Sequence, residues 1–278
     1  AGYQQVLLSH FANADDKNHP LNAKQGQLFA DKLTELRQII PSIKGSLCNS
    51  AGIINFPEWH YDWVRAGIMI YGASPVIDKT VNQLNLQAVM TLSTRIMAIH
   101  QISAGEMVGY GSRWTANKAS HIAIISIGYG DGYPRVVDDT AFVTVVTDDS
   151  SKHPHLTSPK GGGTALSDNN SDNNESARPA IICPIIGRVA MDMLVIDVSD
   201  MIRKDNDVIN KDSSNTIDID KYLDSTVILW GNPTQIKNCP HIDEIAKSAN
   251  TISYELLCRL TTRPKRQLLG QELDKNSH

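Results

Sequence analysis

The sequence predicts an α/β segment followed by a mostly antiparallel β region, and three observations carry that prediction. Up to Gly72, short apolar runs alternate with a stretch of helical period, the pattern of parallel βαβ units. After Pro75 the period changes to two: Leu86, Ala88, Met90, Leu92, Ile96 and Ala98 are set against Gln87, Thr91, Ser93 and Arg95. From there onward, short apolar runs recur between polar turns. The boundary is expected near residues 76–85, giving an α/β part over 1–83 and a β domain over 84–278.

Val6 to Phe11 reads as a short buried strand. A helix is expected from about Asn22 to Ile40, because Phe29, Leu33, Leu36 and Ile40 share one face and Pro41 stops it. Ser46–Asn49 reads as a second strand, followed by a short helix towards Trp59, and Gly67-Ile68-Met69-Ile70-Tyr71-Gly72 as a third strand. About three strands make only part of a barrel or doubly wound sheet. Beyond the long strand over 86–98, further strands are expected at His121–Ile127, Ala141–Val146, Ile181–Ile186, Met193–Val198 and Val227–Trp230. His241–Leu260 reads as a helix with Ile245, Ala249, Ile252 and Leu256 as its apolar stripe. Residues 147–179, rich in Ser, Asp, Asn and Gly, offer little to bury and predict a disordered excursion from a hairpin; Met201–Tyr222 reads as a second polar insert.

The composition narrows the class. A net charge of −4 argues against nucleic acid or an anionic membrane as partner. No run approaches the roughly 18 apolar residues of a membrane helix. The N-terminus Ala1-Gly2-Tyr3-Gln4-Gln5 lacks the basic region of a signal peptide and leads at once into Val6-Leu7-Leu8, so the first domain is expected to lack its beginning. Cys48, Cys183, Cys239 and Cys258 show no close spacing, which predicts reduced, mostly buried thiols in a cytoplasmic protein and no metal site.

Within Met107–Trp114, Tyr110 stands between Gly109 and Gly111. Glycine weakens a strand and marks a bend or close backbone approach, so this segment aims one phenol at something specific. Five other segments place small residues around a polar side chain: Ser9-His10-Phe11, Asn49-Ser50-Ala51-Gly52, Arg65-Ala66-Gly67-Ile68, Gly128 to Arg135, and Gly187 to Met193. Ligands gather at the C-terminal ends of barrel strands, and Ser50 with the amides of Gly67 and Ile68 suits a phosphate. Taken singly, each has a structural reading: His10 as a satisfied histidine, Arg65 as a surface ion pair, Ser50 as a helix N-cap, Asp131-Gly132 as a turn, and Tyr254 as core with its hydroxyl at the rim.

The order of these segments goes further. Ser9-His10-Phe11-Ala12, Asp62 to Ile68, Val108-Gly109-Tyr110-Gly111, Gly128-Tyr129-Gly130-Asp131-Gly132-Tyr133-Pro134-Arg135 and Gly187-Arg188-Val189-Ala190-Met191-Asp192 together closely resemble the alanine racemases. Ile252-Ser253-Tyr254-Glu255-Leu256 and Arg259–Arg263 match the C-terminal end of that family. The resemblance covers nearly the whole chain apart from the two inserts and the tail. It implies a partial (β/α)8 barrel followed by a β domain, and a pyridoxal 5'-phosphate enzyme that interconverts L- and D-alanine, supplying D-alanine for peptidoglycan. It further implies a homodimer whose active sites take residues from both subunits.

By the same resemblance, His10 would face the cofactor ring and Arg65 would hydrogen-bond the pyridine nitrogen. Ser50, Gly67, Ile68 and Tyr254 would hold the phosphate, with Asn49 beside them. Tyr110 would be one of two catalytic bases, reaching into the partner's site, and a chain through His10 and Arg65 would reach that tyrosine. Tyr129 and Met191 would line the substrate entrance and contact the carboxylate, with Asp192 beside them. Two bases are needed because the proton leaves one face of the α-carbon and returns on the other. One departure is severe: the family's Schiff-base lysine has no counterpart here, since Lys17, Lys24, Lys44 and Lys118 lie in unsuitable surroundings. The early barrel strands, a phosphate-binding tyrosine and the carboxylate-binding arginine are also absent. The chain is therefore expected to be the C-terminal part of such an enzyme, inactive alone. A broad-spectrum or serine racemase, or a non-catalytic partner of a racemase subunit, are the competing readings.

Overall fold

Val6–Leu8 (β1) and Lys44–Ser46 (β2) pair in parallel, Val6 opposite Lys44 and Leu8 opposite Ser46, with the helix Leu21–Ile39 (α1) as their crossover. A computed structural model describes residues 3–147, 180–209 and 218–268. The chain falls into two units, Ala1–Leu92 with Trp230–Ile236 and Pro240–Leu257, and Ser93–Leu229 with Lys237–Cys239 and Cys258–His278.

In the first unit α1 buries Phe29 and Leu33 and packs Leu36 and the following Ile40 against the same cluster, the face expected from the sequence. Each fully buried side chain of this size stabilises by about 1.5–3 kcal/mol. Gly26 lets the helix approach Trp59, whose ring lies 2.4 Å from where a Cβ would stand. Phe11, Phe56 and Trp59 stack within 5.5 Å of one another. The helix Ser50–Asn55 (α2) and a 3-10 turn at Pro57–Trp59 follow β2.

Several expectations fail in this unit. The strand expected to be buried over Val6–Phe11 ends at Leu8 and leaves Val6 and Leu8 exposed, and the second strand is Lys44–Ser46 rather than Ser46–Asn49. Ile68–Tyr71 is a 3-10 turn, not a strand: only Ile68 is buried, Ile70 and Tyr71 are exposed, and Gly72 ends the turn at φ 80°. A side chain at Gly72 would collide with the Gln87 carbonyl, 2.0 Å away. His241–Leu260 is two helices, Ile242–Ser248 and Ser253–Arg259, because Asn250 takes a left-handed conformation at φ 51°. That turn leaves Ile245 and Leu256 buried but puts Ile252 in solvent.

The second unit is built on strands Leu92–Ile102 (β3), Met107–Val108 (β4), Trp114–Thr115 (β5), Ser120–Ile125 (β6), Phe142–Val146 (β7), Ala180–Ile186 (β8), Leu194–Asp197 (β9) and Thr226–Trp230 (β10). Six of these close into a barrel in the order β10-β3-β6-β9-β8-β7, and their ladders are antiparallel. Closure leaves that sheet no open edge. Val143, Val145, Ile196, Val227 and Leu229 are fully buried. The expected long strand is displaced to Leu92–Ile102, and a bulge between Ile96 and Ala98 breaks its strict alternation. Met107–Trp114 is likewise not one strand: β4 and β5 flank a 3-10 turn at Tyr110–Ser112. The start of the expected second polar insert is a helix, Ser199–Ile209 (α3), because Met201 and Ile202 are buried. The expected excursion over 147–179 lies almost entirely outside the described residues, as does 210–217 of the second insert. The last two helices are α4 (Ile242–Ser248) and α5 (Ser253–Arg259).

Asp62 gives the first unit a pH dependence. Its carboxylate accepts the Gly45 N–H at 2.8 Å and pairs with Arg37 at 2.7 Å and Lys44 at 3.2 Å. The Gly45 hydrogen bond, then Lys44 and Arg37, hold its pKa below the usual carboxylate value. A carboxyl depressed in the folded state contributes stability above its unfolded pKa of about 3.9, and loses it as pH falls through the folded value. Asp62→Asn is therefore expected to flatten the melting temperature against pH below about pH 4; an unchanged acid slope would refute the assignment.

Candidate functional site

The candidate residues fall into two groups, one in each unit. In the first, Arg65 reaches back across the ends of β1 and β2. Its Nη1 donates to the Ser46 carbonyl at 3.0 Å and the Ser46 hydroxyl at 2.7 Å, and its Nη2 to Ser9 O at 2.7 Å and Leu47 O at 3.3 Å. The arginine is thus no surface ion pair. His10 lies between two donors, Arg65 Nη2 at 3.4 Å from Nδ1 and Asn49 Nδ2 at 3.0 Å from Nε2. A neutral imidazole accepts at one nitrogen only, and the shorter contact makes Asn49 the stronger partner.

Asn49, not Ser50, caps α2, its Oδ1 accepting the Gly52 N–H at 2.9 Å. Ser50 is left to face the next turn, where its hydroxyl accepts the Gly67 N–H at 2.7 Å. The N–H of the buried Ile68 has no partner among the described residues. Tyr254 stands in the first turn of α5, 42% exposed. Burial pushes its phenol up, and the negative charge of Asp15 adds to that. Cys48, close behind, is pushed up to about 11 by burial and is no nucleophile.

In the second unit the site is shaped by backbone contact. Gly109 and Gly187, at φ 79° and 71°, bring two loops face to face: a Cβ on Gly109 would stand 3.3 Å from Arg188 N, and one on Gly187 3.2 Å from Val108 O. Tyr110 projects from the first of these loops and is 73% exposed. Tyr129 N donates to Ala190 O at 3.1 Å and Gly130 N to Met191 O at 2.8 Å, which brings Tyr129, Met191 and Asp192 together. Arg135 lies 5.9 Å over the Tyr129 ring. Arg113, Arg135, Val136 and Arg188 line a cleft of about 440 Å³.

Arg263 and Asp131 lie in motifs singled out from the sequence but carried no role there, yet they tie these loops. Arg263 pairs with Asp192 at 2.7 Å and Asp131 at 3.2 Å, while Thr261 bonds Asp131 O and Gly130 O, both at 3.1 Å. Only the Asp131-Gly132 turn pair hinted at this, and a turn signal says nothing of a distant arginine. Among the described residues no cluster of three or more His, Cys, Asp or Glu is arranged for a metal ion, and no helix is long and apolar enough to cross a membrane.

A βα segment with a hydroxyl and turn amides at its strand ends, and an antiparallel barrel that presents a phenol between glycines, define a two-part α/β and β protein. The chain belongs to the alanine racemase family. Residues 4–75 match the model of the alanine racemase N-terminal domain, and residues 89–152 and 171–268 that of the C-terminal domain. An alanine racemase of Psychrobacter sp. is 47% identical over 97% of this chain, and the biosynthetic alanine racemase of Pseudomonas aeruginosa 32% identical over 94%. The chain spans 60% and 56% of their lengths. Among solved structures, the Acinetobacter baumannii alanine racemase aligns with TM-score 0.67 and 40% identity over 96% of this chain and 57% of its own. A Bartonella henselae alanine racemase with covalently bound pyridoxal phosphate aligns with TM-score 0.63 and 26% identity over 95% of this chain and 56% of its own.

Gly128 tests the loop packing. A Cβ there would stand 2.3 Å from Ala190 O and 2.4 Å from Met191 O, both backbone. Gly128→Ala is expected to cost about 1–3 kcal/mol, as forced overpacking does, read as a lowered melting temperature. A variant that melts with the parent chain would show that the loops do not pack in this way.

Proposed function

We propose that this chain provides the cofactor cradle and one catalytic base of an alanine racemase, which interconverts L- and D-alanine with pyridoxal 5'-phosphate. The observation that carries the reading is the state of Arg65. Four of its five N–H groups are engaged by Ser46, Ser9 and Leu47, and its Nε–H alone has no acceptor among the described residues. A rigid, permanently charged fork with one donor left fits a ring nitrogen that must receive a hydrogen bond and no proton. The Ser50 hydroxyl and the Ile68 amide fit a phosphate, with the Tyr254 hydroxyl as a further donor; the Gly67 amide donates to Ser50 Oγ and so leaves that hydroxyl its own hydrogen to give. The residues present fit the group.

When bound, the cofactor delocalises the negative charge left at the substrate α-carbon. Arg65 would hold the ring nitrogen without yielding a proton to it, and His10, set by Asn49, would lie against the ring. Tyr110 takes or returns the proton at the α-carbon from one face, and serves the site of a partner subunit in a homodimer. Its exposure, 73% in this chain, suits a side chain whose working surroundings come from another copy. Tyr129 and Met191 line the entrance, where Arg135 and Arg188 attract the substrate carboxylate. Arg263 neutralises Asp192 there.

The reading places residues 1–83 on the barrel side of the enzyme and 84–278 in its β domain, although α4 and most of α5 group with the first unit. It places the protein in the cytoplasm, where four cysteines without a disulfide are at home. None of the four lysines weighed from the sequence stands ready for the cofactor: Lys44 pairs with Asp62 in β2, and Lys17, Lys24 and Lys118 are exposed. The 278 residues alone are therefore expected to bind pyridoxal phosphate without racemising alanine. Adding the part of a curated relative that the chain does not cover is expected to restore turnover. Racemisation by the pure chain with added cofactor would overturn the lysine argument, and failure of both binding and restoration would overturn the function.

A further inference from the structure

Asp243 and His241, at the start of α4, join two segments of the first unit that are remote in sequence. The buried His241 faces the Gly72 carbonyl with Nε2 at 3.0 Å, so that nitrogen must carry the hydrogen. The Asp243 carboxylate has one oxygen for each side. Oδ2 accepts the Ser74 N–H at 3.0 Å, and Oδ1 accepts the hydroxyl of the buried Ser253. His241 Nδ1 lies 3.2 Å from Oδ2 and from the Asp243 N–H.

A serine, a histidine and an aspartate in contact suggest a nucleophile, but the wiring excludes it. Ser253 gives its hydrogen to Asp243 rather than to the histidine, and His241 Nε2 is spent on a carbonyl. A partly buried carboxylate is costly unless its oxygens are satisfied, and apolar packing would hold two segments together as well. What the carboxylate adds is a fixed distance and direction. Gly72 closes the turn begun at Gly67 by donating to Met69 O at 3.1 Å, and Ser253 immediately precedes Tyr254.

We infer that Asp243, set by His241, is a positioning residue that fixes the Gly67–Gly72 turn and Tyr254 relative to each other, and so sets the width of the phosphate cradle. This rests on the phosphate reading proposed above. Burial alone would raise the Asp243 carboxyl, but the contact with His241 and the hydrogen bonds donated by Ser253 and Ser74 outweigh it and keep the group below its usual range. The clasp therefore stays charged at neutral pH.

The test uses the full chain with Asp243→Asn and with Ser253→Ala, which removes one hydroxyl and spares the buried carboxylate. Amide hydrogen exchange is followed without ligand over residues 68–74 and 252–256, and affinity for inorganic phosphate and for pyridoxal phosphate is measured by calorimetry. In both variants exchange is expected to quicken in both segments, with affinity for both ligands falling about fivefold, the loss of one hydrogen bond. Ser253→Ala is expected to keep a cooperative melt, and it decides the matter if Asp243→Asn does not fold. Quickened exchange confined to 252–256, or parent affinity in the variants, overturns the inference and leaves the phosphate reading standing. A parent chain that binds neither ligand overturns the phosphate reading, and the inference with it.

Discussion

One guanidinium holds the ends of both parallel strands. Two strands joined by a helical crossover share only a short ladder, and β1 and β2 meet over three residues each. Arg65 extends that ladder by donating to Ser9 and Leu47, just past the strand ends, and to Ser46 at the end of β2. Its partners are carbonyls, a hydroxyl and the His10 ring, and no carboxylate among the described residues cancels its charge. The residue that organises the strand ends thus keeps its positive charge for a ligand. Fold and chemistry depend on the same side chain here, so no substitution of Arg65 separates them.

The second unit reaches its site by a different route. Its barrel is closed, and the loops it supports are zipped together by main-chain hydrogen bonds from Tyr129 and Gly130 to Ala190 and Met191. Side chains are excluded at Gly128 and Gly132, where a Cβ would meet backbone at 2.3 and 2.4 Å. Burial pushes the fully enclosed Tyr133 phenol far up, which makes it a packing element, while its neighbour Tyr129 stays partly exposed. Two tyrosines four residues apart in one motif therefore serve different ends.

What the sequence made legible follows from how local each signal was. The stripe Phe29, Leu33, Leu36 and Ile40 and the short strands of the barrel are set by periodicity within one element, and they were readable to within a few residues. The segment Ile68–Tyr71 looked like a strand because four apolar residues in a row are ambiguous; a 3-10 turn wins where only the first of them is buried. A single left-handed residue, Asn250, split one expected helix; asparagine tolerates that conformation, but the apolar stripe running on through Ile252 and Leu256 masked the stop. Motif order pointed to Arg65, Ser50 and Tyr110. It included Arg263 without a role and was silent on Asp243; the partners of both lie far away along the chain and become neighbours only after folding.

The β7–β8 hairpin has a consequence for how freely this protein can change length. Its ladder runs without interruption from Phe142 opposite Pro184 to Val146 opposite Ala180, and both strands are locked into the closed barrel. The register is set on the barrel side, so the two strand ends stand together whatever chain connects them. Loop closure grows only logarithmically with length, at about 0.6 kcal/mol per doubling. This hairpin tip is therefore a permissive port, where lineages can gain or lose polar sequence, and where a tag or a small domain can be grafted without disturbing the barrel.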